Sequence, residues 1–149
     1  MGKVLVIYHI QGGTTEGMAN AILEGARQVG GTDVHAMMAS EATADDLLGC
    51  DAIAVGSPPY FTYTAGGPED VLEQALYRTR SQVAERPCAV FGSVGGPASA
   101  VLEYVERICF FVMKFKKAAD SVTASGELTE QVLNECRLLG KKLAEAARK

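Results

Sequence analysis

His9, Ile10, Gln11, Gly12, Gly13, Thr14 and Thr15 directly follow the uncharged run Val4-Leu5-Val6-Ile7-Tyr8 and lead into Glu16-Gly17-Met18-Ala19. Glycines, hydroxyls and unpaired backbone N–H groups at the start of a helix form an anion site, most often for phosphate. The orphan N–H groups and the positive end of the helix dipole both favour negative charge there. The segment therefore points to a nucleotide-type cofactor held at the carboxyl end of a first strand. On these residues alone, a βα turn that needs glycine only for its geometry is the alternative. Two more Gly-rich segments follow apolar runs: Gly56-Ser57-Pro58-Pro59, and Gly92-Ser93-Val94-Gly95-Gly96. Tyr60, Phe61 and Tyr63 follow the first of these and supply aromatic faces for a planar ring. No Asp, Glu or His stands out as an acid or base, so no catalytic side chain is expected. His9 and His35 are too few and too far apart for a metal site, and none is expected. Cys50, Cys88, Cys109 and Cys136 form no C-x-x-C pair and read as reduced core residues.

The elements that would position these loops alternate along the chain. Val4–Tyr8 is an uncharged strand of the kind buried on both faces of a parallel sheet. Helical spacing of Met18, Ala19, Ile22, Leu23, Ala26 and Val29 predicts a helix over Thr15–Val29, ended by Gly30-Gly31. A weaker strand at Val34–Met38 and a short helix around Ala44–Leu48 precede a strand at Ala52–Val55. Pro68-Glu69-Asp70 opens the next helix. Cys88–Phe91 is the fourth strand and Ala98–Met113 the fourth helix. Ala119–Ala124 is a poor strand on propensity but occupies the fifth place, and Leu128–Ala147 closes the chain. Five strands interleaved with helices imply a doubly wound parallel α/β sheet in one domain, residues 1–149. Such sheets bind ligands outside the carboxyl ends of their strands, where all three Gly-rich segments converge.

The 149 residues are enough for one core, and a net charge of −4 without a basic stripe argues against a nucleic-acid partner. No apolar run approaches the roughly 18–20 residues that span a bilayer, so no membrane association is expected. A strand beginning almost at the first residue argues against a signal peptide, and the expected location is cytoplasmic. There is no G-x-x-x-x-G-K-[ST], and no G-x-G-x-x-G after the first strand, which excludes the phosphate loop and the dinucleotide fingerprint. The acidic residues of a phosphorylatable receiver domain are missing from the ends of strands one and three.

The loops resemble those of the flavodoxin family over nearly the whole chain. The family's phosphate loop S-x-T-G-N-T-E, laid without gaps on Ile10–Glu16, matches at Gly13, Thr15 and Glu16, and then at Met18 and Ala19. Ile10 and Gly12 replace two hydroxyl donors; Thr14 replaces the Asn, and Thr14 and Gln11 offer substitutes. Gly56-Ser57-Pro58-Pro59-Tyr60 resembles the family's G-[ST]-P-x-[YW], which lies against the flavin. Ser93-Val94-Gly95-Gly96 resembles the loop facing its pyrimidine end, and Leu139–Ala144 resembles the closing helix. The resemblance implies a three-layer sheet of strand order 2-1-3-4-5 and flavin mononucleotide (FMN) held by residues His9–Thr15, Ser57–Phe61 and Ser93–Gly96. It also implies electron transfer between protein partners. Phe61 stands where one-electron carriers tend to have Gly, because a peptide flip there bonds the reduced flavin and favours the semiquinone, and a Cβ resists that flip. This keeps open the alternative of a small FMN-dependent NAD(P)H:quinone or similar oxidoreductase, and the lost hydroxyls keep open a cofactor-free interaction domain. The partner is thus a redox protein or an NAD(P)H/quinone-type small molecule, and the oligomeric state is not fixed. Val105, Ile108, Cys109, Phe111, Val112 and Phe115 read as core, with self-association as the alternative. Lys114-Phe115-Lys116-Lys117 reads as a solvated helix end, with docking of an acidic partner as the alternative.

Overall fold

The uncharged run at the amino end lacks polar alternation because neighbours cover both of its faces. In the computed structural model, which describes residues 2–8, 13–57, 71–93, 97–125 and 127–148, it forms β1 (Gly2–Tyr8). β1 lies between β2 (Thr32–Met38) and β3 (Ala52–Gly56), with Val6 opposite Ala36 on one side and Ala54 on the other. β4 (Pro87–Ser93) continues beyond β3, pairing Val55 with Val90 and Gly56 with Phe91. All pairings are parallel, and the order β2-β1-β3-β4 followed by a fifth position is the doubly wound sheet expected.

The fifth position differs from the single strand expected at Ala119–Ala124. Two short strands occupy it in turn: β5 (Lys116–Lys117) beside Pro87 and Cys88, then β6 (Val122–Ala124) beside Phe91–Ser93. Between them Lys117 pairs with Asp120 at 3.3 Å, and the Ser121 hydroxyl donates to Glu106 Oε2 at 2.6 Å. A charged break of this kind discourages another chain from pairing along the sheet edge.

Strand side chains alternate between two layers, as the period of two requires. Val4, Val6, Ala52, Ala54, Ala89 and Phe91 face α1 (Gly13–Arg27) and α5 (Glu130–Ala147). Leu5, Ile7, Ile53, Val55, Cys88 and Val90 face the layer built from α2 (Ala44–Gly49), α3 (Val71–Val83) and α4 (Pro97–Arg107). The six α1-stripe residues expected to be apolar core are all buried. α1 begins at Gly13 rather than Thr15 and ends at Arg27. α5 begins at Glu130 because the Thr129 hydroxyl accepts from Val132 N–H at 3.2 Å, an N-cap. Glycine sets the spacing of α1 and α5. A Cβ on Gly140 would strike the Ile22 carbonyl and come within 3.0 Å of Ala26 N, and one on Gly25 would strike the Arg137 backbone.

The fourth helix is not uniform to Met113 as its periodicity suggests. Past Arg107 it widens into a π turn, Ile108–Val112, closed by Met113 N–H on Ile108 O at 2.8 Å, and Lys114 stops it at φ 60°. Val105, Ile108, Cys109 and Phe115 are buried as expected of a core stretch and Val112 is half-buried, but Phe111 is 72% exposed. The lysines that read as a helix end lie instead at the left-handed stop (Lys114) and in β5. All four cysteines are buried and free. Burial raises the thiols of Cys50 and Cys88 and pushes Cys136 up to about 12. Among the described residues no helix is long and apolar enough to cross a membrane.

Candidate functional site

Because β1, β3 and β4 run parallel, their last residues, Tyr8, Gly56 and Ser93, come out at one edge of the sheet. α1 starts at the same edge, so the positive end of its dipole faces it. Gly13 is the first residue of α1, Thr14 is half-buried and Thr15 is buried in the first turn. Ser57 directly follows β3, and Ser93 ends β4. The structure thus brings together Gly13, Thr14, Thr15, Ser57 and Ser93 on the carboxyl rim. His9, Ile10, Gln11, Gly12, Pro58, Pro59, Tyr60, Phe61, Val94, Gly95 and Gly96 lie outside the described residues, as do Tyr63 and Pro68–Asp70.

Ser57 is the most informative of these. It is fully buried, and its N–H donates to Phe91 O at 2.8 Å, extending the β3–β4 ladder by one residue. Its Oγ has no hydrogen-bond partner among the described residues, and it is the one buried side-chain polar atom there in that condition. An unmet buried hydroxyl costs about 1–3 kcal/mol. Such a group calls for a partner, and an ordered water or a bound ligand would supply one.

Two glycines make this arrangement possible; both belong to the Gly-rich segments expected at the rim, though neither is among the residues expected to hold FMN. A Cβ on Gly92 would overlap Ser57 Oγ, and one on Gly56 would come within 2.7 Å of the Phe91 ring. Glycine inside an otherwise apolar strand end is the available sequence signal, since it often marks close approach of another group.

The described part of the rim therefore offers hydroxyls, the N–H groups of a helix start and glycine-lined space. Among the described residues no group of three His, Cys, Asp or Glu is placed to hold a metal. The thiols with raised pKa values do not form this rim: Cys50 and Cys88 lie at the opposite, amino edge, and Cys136 is on α5. Such a rim has the groups to hold and orient a polar ligand, and any redox chemistry would come from that ligand.

No family model matches the chain. A flavodoxin of Aquifex aeolicus (strain VF5) is 31% identical over 160 residues, covering 97% of this chain and 86% of that protein. An NAD(P)H dehydrogenase (quinone) of Rhodopseudomonas palustris (strain HaA2) is 37% identical over 94 residues, but only 50% of this chain and 47% of that protein are matched. Among solved structures, a flavodoxin from the domain Archaea superposes with a TM-score of 0.73 at 25% identity, covering 99% of both chains.

Proposed function

The chain belongs to the flavodoxin family, and we propose that it binds FMN on the carboxyl rim of β1, β3 and β4 and carries electrons between protein partners. The observation that carries this reading is the orphaned, buried Ser57 hydroxyl beside Gly92, at the rim where α1 also begins. It supports a bound group with hydrogen-bonding atoms that reaches between β3 and β4. In this reading the backbone of residues 9–13 and the Thr14 and Thr15 hydroxyls hold the phosphate. Ser57 donates to the cofactor, Pro58 to Phe61 cover one side of the ring, and Ser93 to Gly96 meet its pyrimidine end. The loops exclude water and fix the ring edge that partners reach, while electron acceptance is the chemistry FMN supplies when bound. A cytoplasmic location goes with this function.

The near full-length match to a flavodoxin, against a half-length match to the quinone dehydrogenases, favours a carrier over an NAD(P)H:quinone oxidoreductase. The experiment is to load the purified protein with FMN and supply NADPH or NADH with a benzoquinone. A carrier shows negligible steady nicotinamide oxidation until a flavoprotein reductase is added. Steady turnover by the protein alone would replace this reading with the oxidoreductase. A protein that takes up no FMN would remove both.

A further inference from the structure

We propose that the amino edge of the sheet carries a docking surface, in which Phe111 and three cations without an ion-pair partner among the described residues receive an acidic protein segment bearing an apolar side chain. Between residues 107 and 120 the chain has four cations, Arg107, Lys114, Lys116 and Lys117, against the single acid Asp120. The remainder has ten cations and seventeen acids. The segment is thus cationic on a chain of net charge −4, with Glu106 before Arg107 and Glu85 bonded through its N–H to the Lys114 carbonyl at its borders. All four cations are exposed, and Lys117 is taken by Asp120 at 3.3 Å. Arg107, Lys114 and Lys116 have no ion-pair partner among the described residues. In the same segment Phe111, at 72%, is the most exposed large apolar side chain described.

The surface is built rather than loose. The π turn presents Phe111 while Cys109 and Met113 are buried on either side of it in sequence. Lys114 is held at φ 60° by the N–H of Glu85 on its carbonyl at 2.8 Å. Phe115 is buried, and Lys116 N–H bonds Arg86 O at 3.0 Å. A pre-formed surface loses little conformational freedom on binding. β5 lies against Pro87 and Cys88, the first residues of β4, so the patch is at the end of the sheet opposite the carboxyl rim. A partner there leaves that rim open. Exposed cations sharing one short segment with an exposed aromatic favour carboxylates that come with an apolar contact. A bilayer is the poorer occupant, since lipid-binding clusters bring about four to eight free cations and a broader apolar face.

The test titrates the 15N-labelled protein with a synthetic peptide of eight glutamates around one leucine, at low and high salt. Amide shifts are expected over residues 107–117, with affinity falling as salt rises. Phe111→Ser is expected to weaken binding about tenfold, and the double variant K114Q/K116Q by at least as much. Mapping on the unaltered chain needs no variant, so the test does not depend on how the variants fold. Shifts centred on Arg137, Lys141 and Lys142, or binding indifferent to Phe111→Ser, would overturn the proposal. So would co-sedimentation with phosphatidylserine-containing vesicles without any response to the peptide.

Discussion

Replacing Ser57 by Ala should act in opposite directions on the cofactor-free and the FMN-loaded protein. Among the described residues the Oγ is buried without a partner, so in the cofactor-free chain its removal takes away a desolvation cost of about 1–3 kcal/mol. The cavity left behind is small, because Gly92 packs so closely that a Cβ there would overlap the hydroxyl. Net stabilisation is therefore expected, on the order of 1–2 kcal/mol, or about 2–8 °C in Tm for a domain of this size. In the FMN-loaded protein the same change removes a hydrogen bond to the ligand worth about 1–1.5 kcal/mol, weakening FMN roughly tenfold. Urea unfolding of the cofactor-free protein reads the first effect, and quenching of flavin fluorescence on titration reads the second. A cofactor-free S57A less stable than its parent would refute the reasoning about the orphaned hydroxyl. Unchanged FMN affinity would refute its use by the ligand.

Gly140→Leu should destabilise the fold by at least about 3 kcal/mol, since the side chain meets backbone atoms of α1 that cannot yield without separating the helices; thermal unfolding checks it. Arg86 Nη1 donates to the carbonyls of Leu47, Leu48 and Cys50 at 2.9, 3.0 and 2.6 Å, tying the end of α2 to the start of β4. Arg86→Met should cost about 3 kcal/mol in a urea unfolding series. The Cys136 thiol titrates at about 12 in the folded chain against an ordinary value of 9.0, so the unfolded chain ionises first as pH rises. Its contribution to stability is full below about pH 9 and is lost progressively toward pH 12. Cys136→Val should make that alkaline decline shallower in urea midpoints measured against pH, and an unchanged slope would count against the assignment.

Much of the fold is legible in the sequence because two signals are local. The uncharged Val4–Tyr8 run announces a strand covered on both faces, and the 3.6-residue stripe of α1 names its buried residues, every one of which is buried. The errors occur where distant partners decide. β5 and β6 have two and three residues, too short for a periodicity, and exist because β4 offers an edge on either side of the Ala118–Ser121 break. The outward turn of Phe111 depends on the π closure from Met113 to Ile108, which an apolar run cannot announce. At the site, the convergence of three Gly-rich strand ends follows from alternating order alone, because parallel strands share a carboxyl edge. The fit of Ser57 against Gly92 does not, since thirty-five positions separate them and only the β3–β4 register brings them together.

The central claim is that the rim of β1, β3 and β4 holds FMN through its phosphate and the buried Ser57. Equilibrium titration of the cofactor-free protein with FMN and with riboflavin, followed by flavin fluorescence, tests it most directly. The account predicts one FMN bound per chain with its fluorescence quenched, and riboflavin bound at least about tenfold more weakly because it lacks the group that the start of α1 receives. Equal affinity for the two flavins, or no uptake of either, would contradict it.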